Sequence, residues 1–155
     1  MMFDSHSDIK THDEKPEMRT TDIAAYLEGV LSKQTHDAIF INLCNADMVG
    51  HTGNIPAAVI GVETIDKALK LIVETAIGHG YQVIITADHG NAEEMKDKET
   101  GARLSAHTTN LVPFIYIGGK QRLTHYVGSL VDVGPTILTA LGLPVPSDMT
   151  GISFI

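Results

Sequence analysis

The sequence predicts an α/β fold: a three-layer arrangement in which a mostly parallel sheet is flanked by helices. Two observations predict it. Three short apolar runs, "DAIFINLC" (37–44), "YQVIITA" (81–87) and "VPFIYIG" (112–118), have the length and composition of strands buried on both faces. Segments with helical spacing alternate with them, and strand, helix, strand, loop, strand, helix is the grammar of an open sheet with right-handed crossovers.

Residues 1–19 are polar, lack periodicity and contain Lys15-Pro16, so they read as a lead-in. The rest, 20–155, reads as one domain. Thr20 or Thr21 can cap a first helix, with Ile23, Leu27, Val30 and Leu31 on one face and an end near Lys33. After the run at 37–44, "NADMVGHTGN" (45–54) is built of small, turn-forming residues. Pro56 suits the first turn of a long helix to about His79, where Val62, Ile65, Leu69, Ile72 and Ala76 recur at steps of three and four. Opposite charges one turn apart, such as Lys70 and Glu74, support it. Residues 129–141 carry helical spacing, with Pro135 confined to a first turn. The tail ends in a few apolar residues that should dock on the core.

At 155 residues, 43% hydrophobic and 19% charged, the chain has the size and balance of a globular domain. A formal charge of −8 repels nucleic acid and anionic lipid, so neither is an expected partner, and a phosphorylated substrate would need metal or local cations. No segment has the roughly 20 apolar residues of a membrane helix, nor is there a signal-like N-terminus. The one cysteine, Cys44, suits a reducing compartment and reads as a small hydrophobe. The expected location is the cytoplasm.

In open α/β sheets, sites form beyond the carboxyl ends of strands. That rule gathers Asp47 and His51 after the first run, Asp88 and His89 directly after the second, and His107 in the loop before the third. Any one of them alone is better explained as a turn former or a solvated imidazole; ligand types in three such loops are not. Carboxylate with neutral imidazole suits Mn²⁺, Zn²⁺ or Fe, and two Asp with three His exceed the needs of one tetrahedral ion. Because imidazole ligates only when neutral, affinity should fall as pH drops through the histidine range. Gly50, Gly53 and Gly90 allow tight backbone beside the ions. His6, His12, His36 and His125 read as solvated, and His79 as facing the carbonyl end of a helix. "GGK" lacks the spacing of a phosphate-binding loop. Thr52 and Ser105 read as loop groups, and Arg103 as solvated.

The strings "KPEM", "NADMVGHTGN", "ADHGNAEEM", "SAHTTNLVPFI" and "DVGPTILTALGLPVPSDMTG", in this order, resemble the C-terminal part of the 2,3-bisphosphoglycerate-independent phosphoglycerate mutases of the alkaline phosphatase superfamily. The resemblance runs from about Lys15 to the end. It implies a partial, alkaline-phosphatase-like fold and the interconversion of 3-phosphoglycerate and 2-phosphoglycerate with two divalent ions, most often Mn²⁺. It implies Asp47, His51 and His107 as ligands of one ion, and Asp88 and His89 in the shell of the other.

Members of that family are about three times longer. The serine nucleophile, a further Asp ligand and the substrate-gripping residues belong to the portion before "KPEM", so the resemblance implies no catalytic nucleophile in this chain. Phosphoglycerate is then a partner only when that portion is supplied, and a sheet cut from a larger one offers its open edge for association. Another phosphotransferase of the superfamily, such as a phosphopentomutase or a phosphatase, is the enzymatic alternative. A non-catalytic metal-binding remnant is the other.

Overall fold

The computed structural model describes residues 1–155, which divide into two compact units. The first comprises Met1–His79 and His89–Val112, and the second Gly80–Asp88 and Pro113–Ile155. Helices dominate: α1 (Thr20–Lys33), α2 (Asn45–Gly50), α3 (Ile55–Gly78) and α4 (Val133–Ala140). A single two-stranded sheet joins β1 (Val83–Thr86) to β2 (Phe114–Ile117).

In the first unit α1 packs on α3. The buried face of α1 is Thr20, Ala24, Leu27 and Leu31, close to the expected stripe. On α3 the buried row runs through Ala57, Ala58, Gly61, Ala68, Ile72 and Ala76, while Val62, expected inside, is 45% exposed. The small residues let the helices approach, and each fully buried Leu or Ile contributes roughly 1.5–3 kcal/mol. Asn54 accepts from the Ala57 amide at 3.3 Å to start α3. At its far end His79 donates Nδ1–H to the Thr75 carbonyl at 2.8 Å, the role its position suggested.

Three expectations fail in this unit. Residues 45–50 form a helix rather than a turn: the Met48 amide bonds the Cys44 carbonyl at 2.9 Å and the His51 amide bonds the Asp47 carbonyl at 3.0 Å. Thr20 does not cap α1 with its hydroxyl, which donates to Asn45 Oδ1 at 2.5 Å. Residues 37–44 enter no ladder, and Phe40 is 78% exposed. A strand exists only through a partner, and no segment pairs with that run in a sheet.

The mostly parallel sheet is likewise replaced. β1 and β2 pair antiparallel, Val83 opposite Ile117 and Thr86 opposite Phe114. Parallel neighbours need a crossover, usually helical, and no helix forms between β1 and β2. The second unit is closed by its tail. Thr136, fully buried, donates to the Asp132 carbonyl at 2.7 Å and accepts from the Phe154 amide at 2.9 Å. Phe154 is buried and its ring lies 4.4 Å from that of Phe114, so the apolar end docks as its composition suggested.

Asn45, 1% exposed, ties the first unit together. Its Nδ2 donates to the Pro16 and Glu17 carbonyls at 2.7 and 2.9 Å, while its Oδ1 accepts from Thr20. The segment before α1 is thereby pinned to the start of α2. Replacing Asn45 with Ala strands these groups inside the fold, and urea unfolding followed by circular dichroism should show a loss of about 2 kcal/mol.

Candidate metal centre

Helix α2 sets Asp47 and His51 four residues apart, which places both side chains on one face. His51 Nε2 lies 3.1 Å from Asp47 Oδ1. The loop after residue 104 brings His107 to the same point, with Nε2 3.3 Å from Asp47 Oδ1 and 3.1 Å from His51 Nε2. The three donor atoms thus form a nearly equilateral triangle. Ligands bonded at about 2.0–2.2 Å in tetrahedral or octahedral shells stand about 3.0–3.4 Å apart, so the residues present fit a divalent ion. Half-exposed side chains leave one side open to further ligands.

The tautomer of His51 supports the fit. Its Nδ1 stands 2.6 Å from the Ser105 carbonyl oxygen, which can only accept. Nδ1 therefore carries the proton, and in the neutral ring the lone pair sits on Nε2, facing Asp47 and His107. Ser105 contributes its backbone, not the hydroxyl that made it conspicuous in the sequence.

His89 joins the group from a different loop. Its ring stacks on that of His107, with centroids 3.6 Å apart and planes 19° apart. Asp47, His89 and His107 each offer a ligand atom within 4.8 Å of the others, one candidate metal-binding triad. Asp88 falls in the second compact unit and is not in that triad. The resemblance assigns His89, with Asp88, to a second ion; in the fold the His89 ring lies against that of His107 and offers a ligand atom within 4.8 Å of Asp47. Of the five expected ligands, four meet in the first unit.

Two residues to which sequence reasoning gave no role hold this arrangement. Asn91, 4% exposed, donates Nδ2 to Asp47 Oδ1 at 2.9 Å and fixes where that carboxylate points. Its Oδ1 is buried without a partner and packs against Gly50, where a Cβ would overlap it. The reverse amide orientation would set a carbonyl against a carboxylate, so the orphaned oxygen is the lesser penalty. Gly50 thus serves close approach, whereas Gly53, at φ +66, serves a turn.

Glu93 is the second. Its carboxylate accepts from the Asn91 amide at 2.7 Å, from Asn110 Nδ2 at 3.0 Å and from the Thr108 hydroxyl. The Thr108 bond foremost, then that of Asn110, overcomes desolvation and holds the Glu93 carboxyl down at about 2. An acid and an amide within four residues of a histidine, beside a glycine, was the available signal.

The chain is similar to known proteins along most of its length. A family model described as the metalloenzyme superfamily matches residues 3–145. Two 2,3-bisphosphoglycerate-independent phosphoglycerate mutases are similar along nearly the whole chain. That of Thiobacillus denitrificans is 45% identical over 151 residues, 97% of this chain and 29% of the relative. That of Ectopseudomonas mendocina is 45% identical over 144 residues, 93% and 28% respectively. A crystal structure of Leishmania mexicana phosphoglycerate mutase at low cobalt concentration superposes with a TM-score of 0.85 at 29% identity, covering 97% of this chain and 30% of that one. The chain therefore spans somewhat under a third of the length of the relatives it matches.

The Glu93 shift makes a pH prediction. Its folded-state pKa lies below the ordinary value of 4.5, so its contribution is present above about pH 4.5 and is lost as pH falls towards about 2. Solvent screening keeps the contribution modest. Urea midpoints measured across this range should show the native chain ahead of Glu93→Gln at the upper end, with the gap closing as acid is added.

Proposed function

The chain belongs to the metalloenzyme superfamily, and from that premise we propose that it is the C-terminal, metal-holding part of a 2,3-bisphosphoglycerate-independent phosphoglycerate mutase. The observation that carries the reading is the triangle of Asp47 Oδ1, His51 Nε2 and His107 Nε2, with sides of 3.1 to 3.3 Å. Similarity to two named mutases and to a third in crystal form supports the reaction, the interconversion of 3-phosphoglycerate and 2-phosphoglycerate.

Under this proposal Asp47, His51 and His107 hold one divalent ion, and Asp88 and His89 contribute to a second, Mn²⁺ being the first choice for both. Bound there, the ions would neutralise charge on a transferring phosphoryl group and ease deprotonation of an attacking hydroxyl. The chain's own residues do the holding. Asp47 offers an anionic oxygen oriented by Asn91, and His51 a lone pair oriented by the Ser105 carbonyl. A net charge of −8 makes such ions the natural counterweight for a phosphorylated substrate. The serine that carries the phosphoryl group and the domain that turns the glycerate come, on this reading, from polypeptide beyond these residues.

Calorimetric titration tests the metal centre directly. The native chain should bind Mn²⁺ or Co²⁺, and Asp47→Asn should weaken binding about 100-fold, about 2.8 kcal/mol; equal affinity in native and variant chains rejects the centre. For the reaction, the purified chain with Mn²⁺ alone should not turn over 3-phosphoglycerate. Turnover should appear when the remaining portion of a similar mutase is added, and turnover by the chain unaided contradicts the division of labour proposed.

A further inference from the structure

Outside the ligand triangle, three donors from two loops of the first unit converge on one carboxylate. Glu93 Oε2 accepts from the Asn91 amide at 2.7 Å, two residues after His89. Its Oε1 accepts from the Thr108 hydroxyl, one residue after His107, and from Asn110 Nδ2 at 3.0 Å. Between these points the backbones touch: the Thr108 amide donates to the Gly90 carbonyl at 2.8 Å, an isolated antiparallel bridge. A Cβ at residue 90 would overlap both the Glu93 carboxylate and the Thr108 hydroxyl, so only glycine admits the closure.

We propose that Glu93 is a positioning residue for the metal centre: its carboxylate clasps the His89 loop to the His107 loop and so sets the stacked pair of imidazoles beside Asp47. The inference rests on the metal-centre reading above and adds to it a residue outside the ligand set. The argument is geometric. Seventeen residues separate Glu93 from Asn110 and fifteen separate it from Thr108, and neither loop is a helix or strand that could hold a histidine by itself. Farther from the histidines the loops meet again, the Leu104 amide on the Met95 carbonyl at 3.0 Å and a bridge between Lys96 and Arg103, and Asn110 Nδ2 also reaches Glu94 Oε2 at 3.1 Å. At the histidine end the Gly90 backbone bridge by itself leaves the loops able to turn about it. Bonds from one carboxylate to both loops remove that freedom, and the rings are left 3.6 Å apart and nearly parallel. A carboxylate can do this because both its oxygens only accept, matching an amide, a hydroxyl and a side-chain NH₂ that all donate here. Glutamine cannot: with its carbonyl on Thr108 and Asn110, its own NH₂ would confront the Asn91 amide.

The test compares Glu93→Gln and Thr108→Val with the native 155-residue chain, and uses Glu99→Gln as a control for the loss of one negative charge nearby. Co²⁺ serves as the probe because its visible spectrum reports ligand geometry as well as occupancy. Proton NMR of the metal-free chains reports ring-to-ring contacts between His89 and His107. Supporting partners of metal ligands are worth about 10- to 100-fold in affinity, and Glu93 acts through the loops, so a weakening of about tenfold is expected in Glu93→Gln. An altered Co²⁺ spectrum and loss of the His89 to His107 contacts should accompany it. Thr108→Val, which keeps the side chain's shape, should move all three readouts in the same direction, and Glu99→Gln should move none.

Should Glu93→Gln fail to fold, Thr108→Val carries the decision. Folded variants that bind Co²⁺ as the native chain does, with the same spectrum and ring contacts, overturn the clasp. A weakening as large in Glu99→Gln overturns it as well, since charge alone would then suffice. If the native chain binds no Co²⁺, the metal-centre reading fails, while the ring contacts still decide whether Glu93 positions the two loops.

Discussion

The arrangement of the first unit turns on where one carboxylate oxygen points. Asp47 Oδ1 has His51 Nε2 at 3.1 Å, His107 Nε2 at 3.3 Å and Asn91 Nδ2 at 2.9 Å. Each neighbour reaches it from a different constraint: His51 from the next turn of the same short helix, His107 from a long loop, Asn91 from the loop after β1. An anion so surrounded is an internal anchor, and in the proposed centre it would also be a ligand. Asn91 donates to it, and the two imidazole nitrogens stand where co-ligands of a dication would in the proposed centre.

Helix α2 can present that anion because its other side is fixed. Val49, wholly buried, packs with Ala57, Ala58 and Met95, and Asn45 binds the segment ahead of α1. The helix is only six residues long and could not persist alone, since nucleation exceeds what so few bonds return. Burial of Val49 and the polar ties of Asn45 make it stable, and the site inherits their rigidity. Packing and chemistry are coupled here through residues two apart: Asn45 and Val49 face inward, Asp47 and His51 outward.

The second unit has a different logic. Two strands of four residues make a small sheet that is marginal by itself. Its support comes from the tail. Asp132 accepts from the Ser129 amide at 2.7 Å and the Ile152 amide at 2.8 Å, which holds its carboxyl below the usual range, and Thr136 and Thr124 fasten Phe154 on both sides. β1 and β2 each keep one open edge, and residues 37–44 enter no ladder. These unpaired backbones are why the mostly parallel sheet read from apolar runs is not what this chain forms.

Read alone, the sequence determined what depends on local chemistry: the spans of α1 and α3 from periodicity and Pro56, the docking of an apolar tail, and the residue types able to hold a divalent ion. It also carried the strings that tie the chain to its family. Tertiary structure decided what depends on distance along the chain. An apolar run has a strand's composition whether or not a neighbour exists, so pairing at 37–44 and the direction of β2 were not legible. Spacing could place Asp47 near His51 only once residues 45–50 were known to be helical. That His89 would lie against His107, that Asn91 would hold Asp47 and that Glu93 would join the two histidine loops rests on contacts across the chain, with hydrogen bonds spanning fifteen to forty-four residues whose partners no local pattern announces.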